Sequence, residues 1–361
     1  TRLLQFLSGP ARIQVGLQHD LWGVNSGDGF DPQEQKEIRA ALMGATIDDE
    51  VRDRPDSWRW LPYSHAAGYR AVRRTQLVAV ADALPEKARA VQERYQVPNS
   101  YTDYRDMIER ERPDILSVAT RPTPYAEIVQ FAAEHGVRGI YCDKPLCRSL
   151  EEADRMVAAV ERHGVKFNYG TQRRYMPLYR KVREFVGAGE LGNVNCVVGY
   201  CGAGAALWGL THAADMLLFL SGDAEVDFVQ GTLAVDDSAW EGDRLNADPG
   251  ITSAYVRFAT GMHGYLVAGG GWEFELCGTK GKLRTQENGA ACNWRRATGQ
   301  WDRLEEVPFP EFEPGSGTVG CILDLVEALD TGRETSGNIH LARRSFEMIV
   351  GIIESHRRGG A

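Results

Sequence analysis

The feature that most constrains this chain is a regular alternation of short apolar runs and helical segments between residues 64 and 169. A capping box formed by Ser149 and Glu152 opens one of those helical segments. Strands that alternate with helices form βαβ units, so the pattern predicts a parallel sheet of the Rossmann type. Its predicted strands are Leu77–Ala81, Ile115–Ala119, Val137–Cys142 and Val165–Tyr169.

The first strand of this sheet has two candidates. One is the strand-like run Arg12–Leu17, and the other is Ile38–Gly44, which leads into an acidic stretch. An acidic and then tryptophan-rich segment with two prolines separates Gly44 from His65. Long ordered loops of this kind are often functional. Residues 1–37 are an extension of uncertain role.

From Val194 onward most of the chain is strand-like, and a helix at His212–Leu220 interrupts the strands. The length of 361 residues favours two domains. We therefore expect an α/β protein with a Rossmann domain over residues 1–147 and a second α/β domain over residues 148–361, built on a large, mostly antiparallel open sheet. The strands predicted for that sheet are Asn193–Tyr200, Phe228–Val235, Thr252–Phe258, Gly264–Ala268, Glu273–Cys277 and Lys282–Thr285, and the closing helices are Val319–Leu329 and Ile339–Arg357.

One predicted strand ends on the charged pair Asp143 and Lys144, followed by Pro145. Ligands bind at the carboxyl ends of the strands in open α/β sheets, so both side chains are positioned for chemistry. Pro145 favours an extended backbone at Lys144, which determines where the ammonium points. A surface lysine in a βα loop is the alternative interpretation.

Asp82 follows the strand Leu77–Ala81, where a Rossmann unit places the acid that binds the adenosine ribose. A carboxylate there repels a 2′-phosphate, which favours NAD over NADP. A helix-capping aspartate is the alternative. Thr120, which follows the strand Ile115–Ala119, and Asp143, which follows Cys142, are further cofactor-binding candidates.

The glycine loop of a dinucleotide site lacks a clean G-x-G-x-x-G pattern. If Ile38–Gly44 forms the first βα turn, the three glycine positions fall on Arg39, Ala41 and Gly44. Ala41 would hold the backbone away from a pyrophosphate, and Arg39 would strain the turn. This interpretation puts the affinity for the cofactor in question.

A second candidate site begins at Trp208 and ends at Asp215. Thr211 is predicted as an N-cap, which places His212 in the first turn of a helix with Asp215 on the same face. The helix dipole disfavours imidazolium, so we expect a neutral His212 that can act as a general base. A structural histidine is the alternative, and Asp215 is expected to be structural.

Gln172 and Arg174 follow another predicted strand end. They are candidates for binding the hydroxyl or carboxylate groups of a substrate. A solvated basic face is an equal alternative for the arginines of this segment.

Composition excludes several classes of partner. The net charge of −9 provides no basic footprint for nucleic acid or for a membrane surface, so a small molecule is expected. No apolar run is long enough to span a bilayer, and the first residues are too short for a signal peptide, which favours the cytoplasm. The seven cysteines form no C-x-x-C pair, and the histidines show no ligand spacing, so no metal site is predicted.

Several of these segments together resemble the Gfo/Idh/MocA oxidoreductases from about Gly44 to the C-terminus. The resemblance is carried by the Asp143-Lys144-Pro145 triplet, which is similar to an E-K-P motif, and by the H-x-x-D spacing of His212 and Asp215. Supporting segments are Val78–Asp82, Tyr101–Tyr104, Arg173–Pro177, Gly189–Gly192 and Gly278–Gly281.

The resemblance implies a dinucleotide-binding Rossmann domain and a substrate-binding domain whose open sheet forms homo-oligomers, dimers or tetramers. It also implies NAD(P)-dependent oxidation of sugars, polyols or glycosides. The lysine matching Lys144 binds the substrate hydroxyl and the nicotinamide ribose, and the histidine matching His212 is the acid/base. Two positions depart from the family: Asp143 replaces the motif glutamate, and Trp208 replaces an acid common four residues before the histidine. An aromatic residue at that position suits a glycoside.

Three functions follow as hypotheses. The first is an NAD-dependent dehydrogenase of a sugar, polyol or glycoside, with His212 and Lys144 as the catalytic residues. The second is a redox-neutral glycosidase that oxidises C3 transiently with a bound cofactor. The third is a sugar or nucleotide sensor that has lost turnover, for which the altered glycine loop is the motive.

Overall fold

The computed structural model describes residues 37–44, 61–300 and 303–360, which form two compact units. The predicted strand Arg12–Leu17 and most of the acidic, tryptophan-rich loop lie outside these residues. The first unit extends to Tyr175 and also takes in Gly315–Arg343. The second unit contains Met176–Pro314 and the chain from Arg344.

The described part of the first unit contains a six-stranded parallel sheet with the order β3-β2-β1-β4-β5-β6. This is the Rossmann strand order, which confirms the predicted fold class. The strands are β1 (Ile38–Met43), β2 (Thr75–Ala81), β3 (Asn99–Tyr101), β4 (Ile115–Val118), β5 (Gly139–Cys142) and β6 (Lys166–Tyr169). The helices are α1 (His65–Ala71), α2 (Pro85–Tyr95), α3 (Tyr104–Glu111), α4 (Tyr125–Glu134) and α5 (Leu150–His163).

The strand β1 is the centre of the sheet and lies between β2 and β4. Ala40 and Ala41 are fully buried, as expected for a strand covered on both faces. The candidate Ile38–Gly44 is therefore confirmed as a strand of the Rossmann sheet. The strand order reverses between β1 and β4, so a ligand crevice is expected at their carboxyl ends.

The helix α5 shows how local sequence sets an element's bounds. The Ser149 hydroxyl accepts the Glu152 amide at 3.2 Å, as the capping box predicts. The Glu152 carboxylate reaches back to the amide of Arg148 at 2.9 Å, one residue earlier than in the standard box. Gly164 ends the helix in a left-handed conformation.

A segment from late in the chain completes the first unit. The helix α8 (Gly317–Thr331) belongs to this unit, and the carbonyl of its Cys321 accepts the Asn168 side-chain amide at 2.8 Å. The predicted boundary after residue 147 would separate β6 from β5, to which it is paired. The structure instead divides the units after Tyr175, because β6 and α8 are packed with the parallel sheet.

The second unit contains, in its described residues, an eight-stranded sheet ordered β16-β15-β14-β13-β7-β12-β11-β8 and a small β9-β10 hairpin. The sheet is antiparallel apart from the parallel pairing of β7 with β12, as predicted. Its strands are β7 (Val194–Tyr200), β8 (Val226–Ala234), β11 (Gly250–Phe258), β12 (His263–Val267), β13 (Glu273–Gly278), β14 (Gly281–Gln286), β15 (Ala291–Ala297) and β16 (Leu304–Val307). The hairpin joins β9 (Trp240–Glu241) to β10 (Arg244–Leu245). The remaining helices are α6 (Pro177–Gly187), α7 (Thr211–Leu220) and α9 (Ile339–Arg357), with the division between units at Arg343 in α9.

Across the described ranges, none of the helices combines the length and the apolar character that a bilayer crossing requires.

Candidate functional site

Backbone hydrogen bonds align the carboxyl ends of the parallel strands. The Gly44 amide donates to Ala81 O at 2.8 Å, and the Asp143 amide donates to Val118 O at 2.8 Å. These bonds bring the first residues after β1, β2, β4 and β5 to one edge of the sheet. The sequence-predicted cofactor residues Gly44, Asp82, Thr120 and Asp143 therefore share that edge.

Gly44 makes the closest approach at this edge. Its φ is +97°, and a Cβ added there would lie 2.8 Å from the backbone nitrogen of Thr120. Only glycine fits this conformation without moving the neighbouring strand end. Gly44 and Thr120 are thus in direct contact, while their binding of a cofactor stays a prediction.

The structure corrects the predicted register of the glycine loop. Arg39 and Ala41 lie inside β1, where they pair with Gln76 and Ala79. They cannot occupy loop positions, so the assignment of glycine positions to them was wrong. Gly44 is the first residue after the strand, and the same spacing places the later positions on Thr46 and Asp49, outside the described residues.

Asp82 stands at the end of β2, as predicted for a ribose-binding acid. One of its carboxylate oxygens accepts the backbone amide of Leu84 at 2.9 Å and so caps the turn into α2. The capping interaction is therefore present at this residue. The ribose-binding role stays a prediction beside it.

Lys144 follows β5 and Asp143 directly, and only 9% of its surface is exposed. Its burial does not agree with a surface lysine in a βα loop. The next residue is Pro145, joined by a cis peptide bond. A Cβ on Gly170 would lie 2.6 Å from a carboxylate oxygen of Asp143, so the end of β6 closely packs the acid. The charged pair is therefore held in a packed setting at the carboxyl edge.

His65 belongs to the same edge and was not among the predicted site residues. It is the first residue of α1, and its ring stacks on Tyr141 of β5 with centroids 4.0 Å apart. Its Nδ1 lies 2.8 Å from the Ser117 hydroxyl, which is also 3.1 Å from the Tyr69 hydroxyl. Burial lowers the pKa of His65 to about 4, against the opposing effect of the Asp143 carboxylate. The sequence signal was a histidine at a helix start beside the long loop.

In the second unit, His212 lies in the first turn of α7 and is 8% exposed. The predicted N-cap was wrong: Leu210 occupies that position, and Thr211 is already helical, with its hydroxyl donating to Leu207 O at 2.5 Å. A threonine that bonds back by four residues satisfies its hydroxyl inside the helix rather than at its end. His212 nevertheless stays in the first turn, and Asp215 is buried at 1% exposure.

The side chain of Asp248 holds the loop that precedes α7 by hydrogen bonds. Its two carboxylate oxygens accept the amides of Leu207 and Trp208 at 2.8 and 2.9 Å. Asp248 was missed in the sequence because it is 40 residues from Trp208. This bidentate contact positions the backbone of the predicted substrate residue Trp208.

Trp272 is a third residue that was not among the predicted site residues. Its ring meets the His212 ring edge-on, with centroids 6.3 Å apart and planes at 86°. Three consecutive glycines, Gly269 to Gly271, precede it between β12 and β13. This glycine run was the sequence signal of an unusual turn at Trp272.

The predicted substrate residues Gln172 and Arg174 lie in the first unit, in a 3-10 turn after β6. Arg174 is 1% exposed, and its guanidinium donates to Ser336 O at 2.7 Å. The solvated alternative does not agree with this burial, and the contact with Ser336 gives Arg174 a packing role. Gln172 is partly exposed and accepts the Thr318 hydroxyl at 3.2 Å, so its substrate role stays a prediction.

Within the described residues, no group of three or more His, Cys, Asp or Glu side chains is arranged to hold a metal ion.

Comparison with known proteins agrees with the fold of the first unit. Residues 61–171 match the family described as "Oxidoreductase family, NAD-binding Rossmann fold", known as GFO_IDH_MocA. The matched range runs from the segment before α1 to the residue before Gln172. It therefore contains the end of β2, the end of β4 and the Asp143-Lys144-Pro145 triplet.

Several curated relatives are named as dehydrogenases, and two of them illustrate the similarity. The D-apiose dehydrogenase of Paraburkholderia graminis is 31% identical over 36% of this chain and 34% of its own length. The myo-inositol 2-dehydrogenase of Thermotoga maritima is 24% identical over 61% of this chain and 70% of its own length. The chain thus spans only about a third of the first of these proteins.

A solved structure of levoglucosan dehydrogenase, in complex with NADH and levoglucosan, has a similar fold. Its TM-score is 0.72 at 22% identity, over 90% of this chain and 98% of that chain. At this identity the likeness concerns the fold, and it covers both the parallel and the antiparallel sheet.

Proposed function

We propose that this chain, whose residues 61–171 match the GFO_IDH_MocA family, is an NAD-dependent dehydrogenase that oxidises a hydroxyl carbon of a sugar, polyol or glycoside. The names of the D-apiose and myo-inositol dehydrogenases support this class of substrate. NAD, when bound, supplies the nicotinamide ring that accepts hydride. The rest of the proposal concerns the chain's own residues.

The observation that carries the proposal is the burial of Lys144 at the carboxyl end of β5. An ammonium group is costly to bury, so its retention beside Asp143 favours a functional role over a structural one. In this role Lys144 donates hydrogen bonds to the substrate hydroxyl. It stabilises the negative charge that develops on that oxygen as the proton leaves.

We assign the removal of the hydroxyl proton to His212. Its position in the first turn of α7 places the ring near the positive end of a helix dipole, which disfavours imidazolium. A neutral imidazole is the form that accepts a proton as a general base. Trp208, whose backbone Asp248 holds, and Gln172 are proposed to contact the substrate.

The residues at the carboxyl edge of the first unit fit a dinucleotide. Gly44 has a φ of +97° and no room for a side chain, which suits the tight turn that the first glycine of such a loop makes. Asp82 at the end of β2 is the proposed ribose-binding acid, which favours NAD over NADP.

The first experiment is a nucleotide assay on the supernatant of heat-denatured purified protein, with NAD and NADP titrated into the native protein in parallel. We expect bound or tightly binding NAD, and NADH formation at 340 nm with at least one member of a panel of glycosides, sugars and polyols. Protein without any bound or binding nucleotide would overturn the proposal. Product release without net NADH would favour the redox-neutral glycosidase, and ligand binding without hydride transfer would favour the sensor.

We also propose a homo-oligomer, a dimer or tetramer, formed through the outer face of the antiparallel sheet. A Cβ on Gly264 would contact Leu217 of α7 at 3.4 Å, so the next residue, Tyr265, points to the opposite face. Tyr265 is 37% exposed, and its ring lies 5.5 Å from that of Tyr255. Light scattering after size exclusion measures the state, and Tyr265→Glu should shift it toward monomer.

A further inference from the structure

The backbone of Trp272 is in an unusual conformation. Its φ is +51°, in the left-handed region that bulky side chains rarely adopt. Such outliers persist only where the surroundings hold them, and they concentrate at functional sites. The strained backbone of Trp272 therefore indicates a candidate functional residue.

The surroundings of Trp272 hold its backbone from both sides. On one side, the carbonyl of Gly271 accepts the Asn288 amide from the β14–β15 turn at 2.9 Å. On the other side, the carboxylate of Glu273 pairs with Arg284 at 2.6 Å. The turn between β12 and β13 is thus bonded to β14 and to the β14–β15 turn. These contacts hold the backbone that carries the indole.

The indole is presented to His212. The two rings meet edge-on at 6.3 Å, so the indole flanks the imidazole without covering it. A substrate whose hydroxyl reaches His212 would lie beside this aromatic wall. Pyranose and cyclitol rings carry an apolar C–H face, and a large aromatic ring packs well against such a face. Flexible acyclic polyols present no comparable flat face.

We propose that Trp272 is a specificity-determining residue, whose indole packs on the C–H face of a ring-shaped polyhydroxylated substrate and selects it over acyclic polyols. This inference rests on the proposed function, because it takes His212 as the residue at the reacting hydroxyl. It adds the class of substrate, a cyclic sugar or cyclitol.

The test uses variants of the full chain. Trp272→Gly removes the indole at a backbone position that favours glycine, so strain cannot explain its effect. Trp272→Phe keeps an aromatic face. Asn288→Gly is the matched control, because Asn288 also has a positive φ of 54° and its backbone amide is retained.

The readout is the ratio of kcat/KM for myo-inositol to that for sorbitol, with NAD titration as a check on the first unit. We expect the wild type to favour myo-inositol, and Trp272→Gly to lower the ratio about tenfold. Trp272→Phe should stay within about threefold of the wild type, since one aromatic face replaces another. Asn288→Gly should leave the ratio unchanged. The inference is overturned if the wild type shows no preference for the ring, or if Trp272→Gly keeps the ratio.

A binding measurement separates this inference from the proposed function. Saturation-transfer NMR with myo-inositol and with sorbitol reports ligand contact without turnover. If the wild type reduces no NAD, the proposed function fails, and the NMR comparison alone decides the inference. A myo-inositol signal that is lost in Trp272→Gly supports it, and a signal that is absent in the wild type or unchanged in the variant overturns it.

Discussion

The imidazole of His65 stacks on the phenol ring of Tyr141 with their planes only 7° apart. This contact joins the start of α1 to β5, two residues before Asp143. The Ser117 hydroxyl, at the end of β4, lies between His65 and the hydroxyl of Tyr69. A partly buried polar network therefore supports the edge that carries the candidate cofactor residues, in addition to the sheet itself.

Acid should destabilise the protein through His65. Its pKa falls from an ordinary 6.5 to about 4 in the folded state because of burial. Between these values the unfolded chain binds the proton and the folded chain does not, so stability decreases as pH falls from 6.5 toward 4. Above pH 6.5 this contribution is constant. Urea unfolding midpoints measured from pH 8 to pH 5 check the effect.

The control for this pH dependence is a histidine that lies on the surface. His65→Asn should flatten the acid side of the stability profile, whereas His163→Asn, at an exposed position in α5, should not. An acid limb that is the same in His65→Asn and in the wild type would contradict the assignment.

Gly44→Ala should destabilise the first unit strongly. The new Cβ would lie 2.8 Å from three backbone atoms of Ala119 and Thr120, at a φ of +97°. Left-handed strain and overpacking together should lower the free energy of unfolding by about 3 kcal/mol. Gly136→Ala is the matched control, because its φ is +83° but nothing lies within 4 Å of the added Cβ. We expect a loss of about 1 kcal/mol there, and equal losses in the two variants would refute the steric argument.

Lys144→Met should remove activity without unfolding the protein. Methionine fills a similar volume, and replacing a buried charge with an apolar group is often neutral or stabilising. Turnover should fall by about 10²-fold or more, since an electrostatic contact to the developing alkoxide is lost. Steady-state NADH formation and thermal unfolding measure the two effects. Lys166→Met, which removes a partner of Glu334, is the control with expected near-normal turnover. A variant that stays active would end the catalytic role of Lys144.

His212→Gln should lower kcat by about 10² to 10⁴-fold, because the general base is lost while a hydrogen-bonding side chain remains. The affinity for NAD should not change, since the predicted dinucleotide residues lie in the first unit. Fluorescence titration with NAD and initial rates with the best substrate provide the comparison. Retention of near wild-type kcat would show that another group takes the proton.

Arg174→Met should affect stability rather than substrate affinity. The guanidinium is buried and donates to Ser336 O in the late segment of the first unit. Leaving that carbonyl without this donor should lower the free energy of unfolding by about 1 to 3 kcal/mol. KM measured beside the urea midpoint decides the matter: a large rise in KM with unchanged stability would restore the substrate-binding hypothesis. Arg173→Met, at a less buried neighbour, is the control.

Sequence patterns alone predicted the parallel sheet, the antiparallel sheet and the strand-end positions of Asp82 and Lys144. These features are local, because the hydrophobic periodicity, the helix caps and the strand ends each depend on a few neighbouring residues. Even there, an S-x-x-E pattern predicted the start of α5, while the bond from Thr211 back to Leu207 replaced the expected cap of α7.

The register of the glycine loop could be assigned only from strand pairing, because the pairing of β1 with β2 and β4 places Arg39 and Ala41 inside a strand. The contact of the buried Arg174 with Ser336 and the contact of Trp272 with His212 are likewise visible only in the folded chain. Contacts between residues tens of positions apart depend on how strands pair and helices pack, and a single sequence read along its length carries no record of which distant pairs meet.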